Sequence, residues 1–291
     1  MSRFTYIFAT LTTAAALLAA EAQACTRVVY NGPNATYLTA RSMDFKDPIV
    51  SNLWVFPRGM KRHGAAGPRS VEWTSTYGSM IVSGYEISTV DGMNEAGLNA
   101  NLLWLANAEY PEDDGVTPRM SLAIWAQYFL DQFATVEEAV KHARAVPVQV
   151  VSGEVPGRPG SLAPLHMSLS GTNRASDRFV RASYYVDAVV QSDDPRTAAS
   201  AVFSVIRNAS VPYGISLPDA PNLSTTRWRI VADHKNKLFY AESATSPNVF
   251  WVDLKRLDFS QGAEPRTLDL GVDMNRVLAG EVSDQFVPAK P

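Results

Sequence analysis

Cysteine occurs once in the 291 residues, at Cys25, directly behind Ala22-Gln23-Ala24. A secretory peptidase cutting after an A-x-A of this kind leaves Cys25 as the first residue. One residue then carries both a thiol and a free α-amino group. That pair is a nucleophile with its own base: the amine, with a reference pKa of about 7.7–8.0, takes the thiol proton and later gives one to a leaving amine. Such chemistry needs a cation that favours the thiolate and fixed donors for the oxyanion of the tetrahedral intermediate. Arg41 and Asp44, three apart in a β-rich stretch, have the right types, Arg41 to stabilise the thiolate and Asp44 to orient the amine. The same two residues also read as an ordinary cross-strand ion pair, and the residues alone leave both readings open.

Other chemistries are poorly supplied. There is no G-x-G-x-x-G, P-loop, G-x-S-x-G or H-E-x-x-H. His63, His142, His166 and His234 are scattered without ligand spacing, so a metal site is not expected. A Cys–His–Asn arrangement would have to bring His166 to Cys25, and His166 sits in a strand-like run inside a Pro- and Gly-rich region. The formal net charge of −3 is unchanged by loss of residues 1–24, which removes Arg3 and Glu21 together. Mild acidity argues against nucleic acid as a partner.

The elements that must position Cys25 begin with the leader. Arg3, an uncharged run from Phe4 to Ala20 broken by Thr10, Thr12 and Thr13, and the A-x-A fit a signal peptide over residues 1–24. No later stretch is long enough to span a bilayer. The expected product is a single domain, residues 25–291, in the periplasm or secreted. Residues 25–30 and 37–44 predict a β-hairpin closed by Asn31-Gly32-Pro33-Asn34, which returns Arg41 and Asp44 to Cys25. Strands are predicted over 52–57, 80–85 and 98–105, with Asp91–Gly97 as a turn and 58–71 as a loop. Helices are predicted over 121–133, from the capping box of Thr135 to Ala145, over 177–188, and from Asp194-Pro195 to Ile206. Strands at 165–169, 226–233, 237–242 and 248–253 and a loop-like tail from Ser260 complete an α+β chain.

Four stretches carry a resemblance. CTRVVYNGPNATYLTARSMDF, DGMNEAGLNANLLWL, the run from Gly171 through DRFVR to Ser216, and STTRWRIVADHKNKLFYAES resemble, in order, the choloylglycine hydrolase family. That family holds the penicillin V acylases and conjugated bile salt hydrolases, which are N-terminal-nucleophile amidases. The resemblance covers most of residues 25–255. It implies an αββα four-layer sandwich, a homotetramer, a small-molecule amide substrate and no cofactor. By motif, Cys25 matches the nucleophile, Arg41 and Asp44 its neighbours, and Arg178 a second active-site arginine. Trp104 falls where a backbone N–H serves the oxyanion and a ring walls the acyl pocket, and a tryptophan there resembles the Gram-negative branch, some of whose members also process acyl-homoserine lactones. The family's T-N-S-P-T-F stretch, which supplies a second oxyanion donor, has no match. A segment of the central sheets is expected to be missing near Ser170–Gly171, and Asn173 belongs to the later motif. Two readings follow from this: a linear amide hydrolase, or an impaired remnant that binds acyl ligands without turnover.

Overall fold

The computed structural model describes residues 25–103, 109–151, 173–215 and 224–289. The hairpin forms as its composition demands. Strand β1 (Arg27–Gly32) passes through a short turn at Pro33–Ala35 into β2 (Thr36–Phe45), with Arg27 opposite Arg41. The turn holds Asn34 at φ 52°, a left-handed conformation that asparagine tolerates better than most residues. Then come β3 (Leu53–Phe56) and a small hairpin of β4 (Lys61–His63), inside the span 58–71 expected as a loop, and β5 (Glu72–Thr74), just past it.

A meander of β6 (Ser79–Gly84), β7 (Ser88–Asn94) and β8 (Asn99–Asn101) follows. Here the expectation fails, because Asp91 to Asn94 is strand and the reversal falls on residues 95–98. Gly92 gives the reason. A Cβ there would lie 2.8 Å from Ile81 Cγ2 and 2.9 Å from Leu130 Cδ1, so glycine serves close packing of a neighbouring strand and helix.

Strand β9 (Arg119–Ser121) leads into α1 (Trp125–Gln132), and α2 (Val136–Ala145) starts on its capping box. Glu138 N donates to Thr135 Oγ1, and Thr135 N donates back to Glu138 Oε2. Strand β10 (Gln149–Val151), in a region expected to be irregular, pairs in parallel with β9. The expected strand at 165–169 lies outside the described residues. Helices α3 (Ala175–Ala188) and α4 (Pro195–Asn208) follow, the latter capped by Asp194, which accepts from Thr197 N at 2.8 Å. Next are the three expected strands β11 (Thr225–Asp233), β12 (Leu238–Ser243) and β13 (Phe250–Asp253). The tail is not all loop; it adds β14 (Arg266–Leu268), β15 (Gly280–Glu281) and β16 (Val287–Pro288).

Two six-stranded sheets result, β1-β2-β11-β12-β13-β15 and β16-β14-β3-β6-β7-β8. Alternation along β11 sends Ile230 and Ala232 toward the second sheet, among Leu53, Val55, Met80 and Phe239. Val231 turns the other way, into a second core with Val202, Phe203 and Ile206 of α4. On the far face, the Asn94 side-chain amide donates to Leu130 O and Phe133 O and fastens α1 to β7. The layers are therefore helix, sheet, sheet, helix, the expected αββα sandwich.

The strand that follows Cys25 ends its sheet among the described residues. Among the described residues nothing pairs with the outer side of β1 or of β8. These two edges meet, since Arg27 Nε donates to Asn101 Oδ1 at 2.7 Å. This side of the two sheets runs past Cys25.

Candidate active site

The hairpin register alone places the first three candidate residues. Arg41 sits opposite Arg27, two positions from Cys25, and Asp44 lies a further three residues along β2. Arg41 Nη2 stands 3.2 Å from Cys25 Sγ, and the thiol faces the backbone carbonyl of Asp44 at 4.0 Å. Arg41 is held on its other atoms. Its Nη1 donates to Val90 O at 2.6 Å and to Leu102 O at 3.2 Å, and its guanidinium lies 5.0 Å from the Trp228 ring. The cation is buried, so carbonyl dipoles and the indole face stand in for water.

Asp44 is equally buried and its carboxylate is saturated. Oδ1 accepts from the Thr226 hydroxyl at 2.5 Å. Oδ2 accepts from the Ser42 hydroxyl at 2.9 Å and from Arg178 Nη1 at 2.5 Å. An irregularity in the β2–β11 pairing, between Thr226 and Trp228, sets Thr226 opposite Asp44 while Trp228 faces Met43. Arg178 reaches the site from the first turn of α3, and its Nη1 also donates to Thr26 Oγ1 at 2.5 Å. Thr26 N in turn donates to Ser42 Oγ at 3.2 Å. Cys25, Arg41, Asp44 and Arg178 are therefore brought together, whereas Trp104 lies outside the described residues, as does the 1–24 leader.

Thr26, Ser42 and Thr226 were not singled out by sequence reasoning, because a hydroxyl in a strand is unremarkable by type. One signal was present: Arg41, Ser42 and Asp44 form a polar run in a strand that is buried from Leu38 to Asp44. The three described histidines are engaged elsewhere. His63 accepts from Ala65 N, His142 meets the Tyr128 hydroxyl, and His234 lies between Thr39 and Gly97 O. Among the described residues no cluster could hold a metal ion.

A groove of about 470 Å³ opens beside the thiol between β1 and α3, lined by Cys25, Thr26, Val28, Arg178, Phe179 and Val186. Its apolar wall and single buried cation suit an acyl chain ending in a polarisable carbonyl. Behind Arg41, Asp91 of β7 is fully buried, with Oδ2 3.8 Å from Arg41 Nε. Burial pushes its carboxyl up to about 6, against the pull of Arg41, Asn99, the Gly92 backbone and Asn101.

The sequence profile of linear amide C–N hydrolases, choloylglycine hydrolase family, matches this chain over residues 25–173 and 161–270. A penicillin V acylase of Pectobacterium atrosepticum is 42% identical over 345 residues, covering 92% of this chain and 91% of that protein. Those 345 positions outnumber the 291 residues here, so the relative has a stretch with no counterpart in this chain. The structure of a penicillin V acylase from Agrobacterium tumefaciens superposes with a TM-score of 0.82 at 47% identity, over 91% of this chain and 98% of that one. A mutant conjugated bile acid hydrolase from Clostridium perfringens, 15% identical, shares the fold with a TM-score of 0.66 over 84% of this chain and 96% of that one.

Proposed function

This chain belongs to the choloylglycine hydrolase family of linear amide C–N hydrolases, and we propose that it is an exported amidase of the penicillin V acylase type with Cys25 as its N-terminal nucleophile. One observation carries the reading: a buried arginine points at the only thiol in the chain from 3.2 Å. A cation there favours the thiolate without a histidine. The family profile opens on Cys25, which supports removal of residues 1–24 and release of the α-amino group.

The step balances as follows. The α-amino group takes the thiol proton, and sulfur attacks the amide carbonyl to form a C–S bond. The C–N bond breaks as that proton passes to the leaving amine. Water then attacks the thioester, releasing the acid and restoring the thiol. Arg41 holds the sulfur and its charge. Asp44, itself fixed by Ser42, Thr226 and Arg178, orients the amine. The family resemblance assigns the oxyanion donor to the backbone N–H of Trp104, which lies outside the described residues. The groove beside α3 accepts an apolar acyl group such as phenoxyacetyl or fatty acyl, as in penicillin V or an acyl-homoserine lactone.

The test is release of phenoxyacetate from penicillin V by protein beginning at Cys25, against the Cys25→Ser variant. The variant is expected to lose turnover, and equal rates overturn the mechanism. A second reading has its own observation, the open edge of β1 together with the stretch present in the relative and absent here. One lost oxyanion donor costs on the order of 10²–10³ in turnover, so this reading predicts acyl ligands that raise the melting temperature without yielding product. A homotetramer, as the family resemblance implies, would cover the edges of β1 and β8, and light scattering measures it directly.

A further inference from the structure

Arg41 has two acidic neighbours, and only one belongs to the mechanism above. On one side Nη2 meets the Cys25 thiol, and on the other Nε faces Asp91 Oδ2 at 3.8 Å. The second contact is an ion pair without a hydrogen bond. Asp91 Oδ2 is buried and has no hydrogen-bond donor among the described residues, while Oδ1 accepts from Asn99 Nδ2 at 3.1 Å. The charged and polar groups facing this carboxyl are few: Arg41 from β2, Arg27 from β1, and Asn99 and Asn101 from β8. A fully buried carboxylate left half-bonded is costly. The guanidinium that faces its unbonded oxygen is that of Arg41.

We propose that Asp91 is a positioning residue acting through Arg41, and that its carboxylate competes with the Cys25 thiolate for one shared guanidinium. While Asp91 is ionised, part of the charge of Arg41 is already compensated and the thiol holds its proton more firmly. Once Asp91 is neutral, the full cation faces the sulfur. The guanidinium keeps its place in either case, because Val90 O, Leu102 O and the Trp228 ring hold it independently of Asp91. This deepens the reading in which Cys25 is the nucleophile, but it concerns thiol acidity and does not depend on turnover.

The experiment is the rate of alkylation of Cys25 by iodoacetamide as a function of pH, clean because the chain has no other cysteine. In Asp91→Asn, which keeps the shape and removes the charge, the midpoint is expected to fall by about one pH unit, a roughly tenfold faster reaction below it. A purely structural Asp91 predicts an unchanged midpoint, or a raised one where Arg41 is displaced, and either result overturns the proposal. Should Asp91→Asn fail to fold, Asn99→Ala tests the same coupling. It removes a donor that favours the ionised carboxyl, so the midpoint is again expected to fall, and no shift overturns the proposal. Thiol acidity and amide hydrolysis are read separately, so an inactive enzyme with a shifted midpoint counts against the proposed activity alone.

Discussion

Two buried aspartates serve the same hairpin, and they are treated in opposite ways. Asp44 has donors on both oxygens: two hydroxyls and a guanidinium at 2.5–2.9 Å. Asp91 has the Asn99 amide on Oδ1, lesser help from the Gly92 backbone and Asn101, and a guanidinium that stands off at 3.8 Å from Oδ2. Each oxygen of Asp44 gains charge-assisted bonds that offset its desolvation. Asp91 does not recover that cost, and its carboxyl rises to about 6. One carboxylate is surrounded by donors, whereas the other shares its guanidinium with the Cys25 thiol and is left half-bonded.

The contrast breaks most visibly at Arg178. Replacing it by methionine keeps much of the bulk but leaves Asp44 a buried anion without a cation, at an expected cost of roughly 3–5 kcal/mol. Urea unfolding of Arg178→Met measures this, and a loss below about 1 kcal/mol would mean that the hydroxyls of Ser42 and Thr226 suffice.

Asp91 predicts a different signature, one that depends on pH. Its folded value lies above the ordinary carboxylate value, so the folded state binds more protons than the unfolded state between about pH 4 and pH 6. Stability from this group is therefore greatest in acid and falls as pH rises through about 6. Asp91→Asn lacks that fall. The stability of the variant relative to wild type is expected to rise by about 2–2.5 kcal/mol between pH 4 and pH 7. Denaturant midpoints at the two pH values give the double difference, and a difference that stays flat would place Asp91 among ordinary salt-bridged carboxylates.

Much of this arrangement was readable from residue types. Thr135 with Glu138 and Asp194 with Pro195 announced two helix starts, because a cap is a local hydrogen-bonding event. The hairpin turn announced that Arg41 and Asp44 would return to Cys25, because register follows from a short connection. The strand at Asp91–Asn94 was misread, because Asp, Gly and Asn usually mark a reversal. Their reasons here are long-range: Gly92 makes room for Ile81 and Leu130, and Asn94 ties β7 to α1. Nor does the sequence reveal that β1 and β8 end their sheets among the described residues, since that depends on which distant strands pair. Thr226 was hidden for a related reason, as its partner lies 182 residues away.

That distant hydroxyl yields the finest test of the comparison. Thr226→Val keeps the β-branched shape and removes one donor to Asp44 Oδ1, while Ser42 and Arg178 remain on Oδ2. A lost hydrogen bond to a charged group costs about 1.5–3 kcal/mol when nothing replaces it. The change also takes away the acceptor of the buried Val211 N–H, 2.9 Å from Thr226 Oγ1, so the effect should lie toward the top of that range. It should also be independent of Asp91, because the two aspartates bond to separate partners. The double variant Thr226→Val with Asp91→Asn is thus expected to be additive within about 0.5 kcal/mol. A larger coupling would mean that the two carboxylates communicate through the hairpin, and that the saturated site and the poised one form a single network.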